Sequence, residues 1–152
     1  MARPPLVMVV CGEESGDRLA AAVVAQLKQT HPGLQLIGVG GPDLQAQGLR
    51  TEFPLADLAV MGLIEVLPRL PKLLARRRQL VQLATQDQPD VLLTVDAPDF
   101  CLRVARAAKA QRPKLPCVHL VSPSVWAWRP GRVHQMAQYL NHVLALLPFE
   151  PA

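Results

Sequence analysis

Asp96 and Asp99 stand three residues apart in "VDAPDF" (95–100), directly after the apolar run "VLLT". A carboxylate at the end of a buried strand, facing a cleft, can act as a general base that takes a proton from a substrate hydroxyl. The same spacing can also start a helix. Asp96 would then be the N-cap and Asp99 a capping-box partner in place of Glu, with Pro98 tolerated in the first turn. Spacing alone leaves both open. A second acidic stretch, "GEESGD" (12–17), carries Glu13, Glu14 and Asp17 around Ser15. It has neither the Lys-Ser/Thr of a P-loop nor G-x-G-x-x-G spacing, and its acids would repel a pyrophosphate. Either it is a tight turn with Ser15 as N-cap and Asp17 near the positive end of a helix, or it hydrogen-bonds the hydroxyls of a sugar.

Three other stretches are unusual. "SPSVWAWRPGR" (122–132) holds both tryptophans, Trp126 and Trp128, followed by Arg129 and Arg132. Aromatics so placed are either structural or a surface for acyl or sugar faces beside an anion. "GVGGPDLQAQG" (38–48) is glycine-rich, which permits positive φ or close backbone approach to a ligand. Residues 58–78, "LAVMGLIEVLPRLPKLLARRR", set Ile64, Val66, Leu67, Leu70, Leu73 and Leu74 beside Arg69, Lys72 and Arg76–Arg78. The charges exclude a transmembrane helix. What remains is a core-facing helix with a basic outer side or an apolar lip resting on an anionic bilayer. Pro68 and Pro71 favour an irregular segment over one smooth helix, and so the lip.

These residues need elements to position them. Apolar runs at 6–11, 34–39, 91–95, 117–121 and 142–147 alternate with helical stretches at 17–30, 70–86, 99–111 and about 131–139. That alternation predicts an α/β fold, a Rossmann-like parallel sheet with helices on both faces. Several strands are apolar throughout, as strands covered on both sides are. Ligands of such sheets bind beyond the carboxyl ends of the strands, where four of the five stretches above fall.

Composition sets the outer limits. A chain of 152 residues, half hydrophobic and 18% charged, fits one globular domain. Its net charge of +4 suits an anionic ligand or membrane surface but is too mild for nucleic acid, and no aromatics interleave with a basic run to stack bases. Cys11, Cys101 and Cys117 are far apart and read as small buried hydrophobes in a reducing compartment. His31, His119, His134 and His142 are scattered and the acids follow no metal-binding pattern, so no metal and no cofactor are expected.

Taken in order, "GEESGD", "GVGGPDLQAQG", "LAVMGLIEVL", "PDVLLTVDAPDF", "VSPSVWAWR" and "LPFE" resemble lipid-A-disaccharide synthase over residues 6–150. The resemblance implies an inverting glycosyltransferase of GT-B architecture, two Rossmann-like domains facing across a cleft. It would join UDP-2,3-diacylglucosamine to 2,3-diacylglucosamine 1-phosphate, giving lipid A disaccharide 1-phosphate and UDP, on the cytoplasmic face of the inner membrane of Gram-negative bacteria. It makes Asp96 the expected base, places Asp99 at the helix N-terminus, and puts Glu13, Ser15, Asp17, Trp126, Trp128 and Arg129 on the substrate side. Ile64, Val66, Leu67, Leu70, Leu73 and Leu74 are the expected membrane contact. The chain departs from the pattern at Cys101, where most members carry Asn, and it stops at "LPFEPA", before the C-terminal nucleotide-binding domain. It is therefore expected to be the N-terminal, acceptor-side part of a longer protein, inactive alone. The rival reading is a non-catalytic Rossmann-like module that binds an anionic lipid or nucleotide.

Overall fold

The computed structural model describes residues 3–58, 63–120 and 138–144, with the side chains of 63–67, 69, 98, 99, 143 and 144 outside the description. Five strands form one sheet: β1 (Leu6–Cys11), β2 (Gln35–Val39), β3 (Val91–Val95), β4 (Cys117–Leu120) and β5 (His142–Leu144). All neighbours pair in parallel, in the order β2-β1-β3-β4-β5. Helices α1 (Glu14–Thr30), α2 (Pro42–Ala46), α3 (Leu63–Gln86) and α4 (Pro98–Gln111) connect the first four.

Every residue of β1 is buried. Successive side chains of a strand point to opposite faces, and β1 divides accordingly. Met8 and Val10 join a cluster with Leu80 and Ala84 of α3 and Val104, Ala105 and Ala108 of α4. Val7, Val9 and Cys11 join a second cluster with Ala20, Ala21 and Val24 of α1 and Leu44 of α2. Both faces are covered, which is why the strand carries no polar alternation. Small residues on the inner face of α1 let its backbone lie close to the sheet. Within the sheet, Gly38 of β2 faces Val9 of β1 in register, with φ of +124° and no room for a Cβ, which would lie 1.9 Å from the Val9 carbonyl oxygen.

The chain leaves β1 to one side, through α1 to β2, and returns on the other side to β3. The order reverses between β1 and β3, and the crevice beyond their carboxyl ends is where such sheets bind ligands. Cys11 pairs with Val95 in register. Gly12 and Glu13 therefore emerge beside Asp96 and Ala97.

Helix α3 corrects the sequence reading. It runs 24 residues through both Pro68 and Pro71 instead of breaking there. Each internal proline costs about 3 kcal/mol through a lost hydrogen bond and a clash. Both rings are exposed, on the outer side of a helix, where carbonyls already tilt towards water. The other end of the helix offsets the cost, with Leu80 and Ala84 wholly buried. Between them, Arg76 hydrogen-bonds Asp57 Oδ2 through Nε (3.1 Å) and Nη2 (2.8 Å) and lies 4.7 Å from the centre of the Phe53 ring.

A candidate active site at the switch point

Asp96 does not cap α4. The N-cap is Ala97, with no side-chain hydrogen bond to the helix end, so the capping-box alternative fails. Asp96 and Ala97 are both left-handed, with φ of +53° and +39°. Asp tolerates that region through its short polar side chain, whereas for Ala it costs about 1–2 kcal/mol. Non-glycine residues in this region cluster at functional sites, where the surroundings hold them in place. Here the Asp96 amide donates to the Leu120 carbonyl (3.1 Å), and Ala97 packs against the core. Gly12 makes the turn possible, because a Cβ there would lie 2.3 Å from the Ala97 Cβ. The result turns the Asp96 carboxyl away from the helix end and towards the β1–α1 loop.

There it meets Ser15. The Ser15 hydroxyl donates to Asp96 Oδ2 at 3.1 Å. Ser15 is thus not an N-cap; that position belongs to Glu13, whose backbone is extended (φ −147°, ψ 161°) and whose side chain makes no capping bond. The Glu13 carboxyl is shifted up from the ordinary glutamate value. Partial burial is the first cause and the charge of Asp96 the second. Glu13, Ser15 and Asp96 therefore form one exposed-to-half-buried group at the crevice mouth. Asp99 is the second residue of α4, and its side chain lies outside the described residues.

Asp17 is a correction. It is 2% exposed and is turned to the loop that follows β2. Its Oδ1 accepts from the amides of Gly41 (2.8 Å) and Leu44 (3.1 Å), and its Oδ2 from that of Asp43 (3.0 Å). It supplies from α1 the cap that α2 lacks, since the α2 N-cap is Gly41 and the free amides of a helix start need an acceptor. The signal was in the sequence: "GGPD" opens a helix without a capping side chain.

Sequence reasoning also missed a buried polar pair beneath the site. Thr94 and His119 are wholly buried, opposite each other in register, with Thr94 Oγ1 2.8 Å from His119 Nδ1. The three thiols are free and buried, as read from the sequence. Burial pushes Cys101 up to about 12, and Cys11 and Cys117 also upward. Where an Asn was the expected residue, Cys101 Sγ lies 3.5 Å from the Val10 carbonyl oxygen and 3.7 Å from that of Val95. It ties α4 to both strands flanking the crevice.

The apolar lip is divided. Leu70 and Leu74 are 42% and 41% exposed. Leu73 instead packs against the core, which corrects its assignment as a membrane contact. Ile64, Val66 and Leu67 lie in α3 with side chains outside the described residues. Lys72 and Arg76, two of the cations beside that stretch, both pair with Asp57 (3.0 and 2.8 Å). Trp126, Trp128 and Arg129 lie outside the described residues. Among the described residues no helix is long and apolar enough to cross a membrane.

The chain matches the family model described as lipid-A-disaccharide synthetase over residues 7–152. The lipid-A-disaccharide synthase of Ruegeria pomeroyi is 51% identical over 145 residues, covering 95% of this chain and 36% of its own length. That of Rhodospirillum centenum is 46% identical over 150 residues, covering 98% and 37%. That of Pseudomonas fluorescens is 49% identical over 144 residues, covering 95% and 38%. The chain thus spans a little over a third of the length of these curated relatives. A solved structure of S. aureus MnaA with UDP superposes with a TM-score of 0.57 at 11% identity, covering 93% of this chain and 37% of that one, a likeness of fold. With an α/β sheet of this order and this extent of identity, the chain belongs to the lipid-A-disaccharide synthetase family.

Proposed function

We propose that this chain is the N-terminal, acceptor-side domain of an inverting glycosyltransferase. The enzyme joins UDP-2,3-diacylglucosamine to 2,3-diacylglucosamine 1-phosphate and releases UDP, with Asp96 as general base. The observation that carries the reading is the position of Asp96, which is released from capping duty by a left-handed turn and presented at the crevice where the strand order reverses.

Asp96 takes the proton of the acceptor's 6-hydroxyl as that oxygen attacks the anomeric carbon. The bond to UDP breaks, and its electron pair leaves with UDP. A base so placed contributes about 10²- to 10⁴-fold in rate. The UDP half-site belongs to the C-terminal domain, beyond the part of the family that this chain spans. The enzyme works as a peripheral protein on the inner face of the inner membrane, where exposed Leu70 and Leu74 allow acyl chains to pass without fully entering water.

The test joins the chain to the C-terminal part of the Ruegeria pomeroyi relative and measures UDP and disaccharide from the two diacylated substrates. The joined protein is expected to turn over and the 152-residue chain alone to show none. Transfer by the chain alone, or a joined protein that is folded and binds UDP but makes no disaccharide, contradicts the reading.

A further inference from the structure

Two acids and a hydroxyl meet at the switch point, and a base alone would need only one of them. Ser15 sits in the first turn of a helix, where its hydroxyl would ordinarily serve a free backbone amide. It spends its proton on Asp96 Oδ2 instead, 81 positions away in sequence. Glu13 holds the N-cap position yet makes no cap. Its carboxyl is likewise left for the crevice, which the register of Cys11 with Val95 sets beside Asp96. An exposed hydrogen bond of this kind adds little to stability, so what it supplies is orientation.

We infer that Ser15 and Glu13 are positioning residues for the base. The Ser15 hydroxyl occupies Oδ2 of Asp96, which leaves Oδ1 to receive the acceptor proton, and the Glu13 carboxyl braces the same group from the β1 side. The inference rests on the reading of Asp96 as base. In the reaction the acceptor O–H bond breaks, its electron pair forms the bond to the anomeric carbon, and the proton ends on Oδ1. Ser15 fixes which oxygen that is and at what angle. The titratable groups around Asp96 are Glu13 from the β1–α1 loop, Cys11 from the end of β1 and Cys101 from α4. Both thiols are held protonated by burial, so among the described residues Glu13 is the charged neighbour. The upward shift of Glu13, caused first by burial and next by Asp96, agrees with the placement beside Asp96 that the register gives it.

Two measurements test this. In the joined protein, Ser15→Ala is expected to lower kcat about 10- to 100-fold, the scale of a misplaced catalytic group, with KM within about twofold; Ser15→Thr, which keeps the hydroxyl, should recover most of the loss. In the 152-residue chain, carbon-13 carboxyl NMR should find Glu13 titrating above an ordinary glutamate and falling back in Asp96→Asn. An inactive Asp96→Asn beside an unaffected Ser15→Ala overturns the inference while the reading of the base survives. A fully active Asp96→Asn overturns the reading itself. A Glu13 titration that ignores Asp96→Asn removes Glu13 from the group.

Discussion

Asp17 Oδ1 accepts a hydrogen bond from the Gly41 amide at 2.8 Å, which joins the first helix to the glycine loop after β2. With the bonds from Asp43 and Leu44, this buried carboxylate is the start of α2. Asp17→Asn keeps the shape but puts an NH2 against a backbone donor. We expect a loss of about 2–3 kcal/mol in urea unfolding, the scale of bonds to a buried charged group. KM for the acceptor in the joined protein should stay unchanged; a raised KM at full stability would return Asp17 to the substrate side.

Gly12 and Ala97 form a coupled pair. Gly12→Ala places a Cβ 2.3 Å from that of Ala97 and should destabilise the chain by about 1–3 kcal/mol, as overpacking does. Ala97→Gly removes the left-handed strain, so alone it should be neutral or stabilising by up to about 1 kcal/mol, and beside Gly12→Ala it also removes the clash. Together the two changes should recover most of the loss. Additive effects in the double-mutant cycle would show that the residues are not in contact.

The Asp57 carboxyl is held below its ordinary value, first by the hydrogen bond from Lys72 and further by Arg76, against the opposing effect of burial. A depressed folded-state pKa gives stability that is present above the unfolded value and lost as pH falls through the folded one. Asp57→Asn should therefore lower the melting point at pH 7 by an amount worth about 1 kcal/mol. The difference from the parent should close as pH drops below the ordinary value of 3.8. A gap that persists in strong acid would mean that packing, not charge, joins the 55–58 turn to α3.

Leu70 and Leu74 share one side of α3, and Leu73 faces the core. Leu70→Ser with Leu74→Ser should change stability by less than about 0.5 kcal/mol each, as at exposed sites, and weaken binding to anionic vesicles. Leu73→Ser should instead lower the melting point. Vesicle binding unchanged by the double substitution would contradict the membrane contact.

How much of this was legible in the sequence depended on whether the signal was local. Strands 6–11 and 91–95 were read to the residue, because burial on both faces leaves an apolar run, broken only by Thr94 in the second. Helix α3 was read to start seven residues late, since Pro68 and Pro71 carry a strong local rule that burial further along the helix overrode. Asp96 was marked as a candidate, but whether it caps α4 turned on two left-handed residues, and neither is glycine. Its contact with Ser15 spans 81 positions and exists only through the pairing of β1 with β3. Asp17 was misread for the same reason, because its partners lie on another element.

The central claim is that Asp96 is the base, and the most direct measurement is kcat of Asp96→Asn in the joined protein. Asn preserves the size of the side chain and can still accept from Ser15, so the fold and KM should hold. The loss of proton acceptance should lower kcat by about 10²- to 10⁴-fold, while Asp99→Asn keeps turnover within about tenfold and costs about 1 kcal/mol or less as a helix-end charge. A turnover abolished by Asp99→Asn and spared by Asp96→Asn would contradict the account.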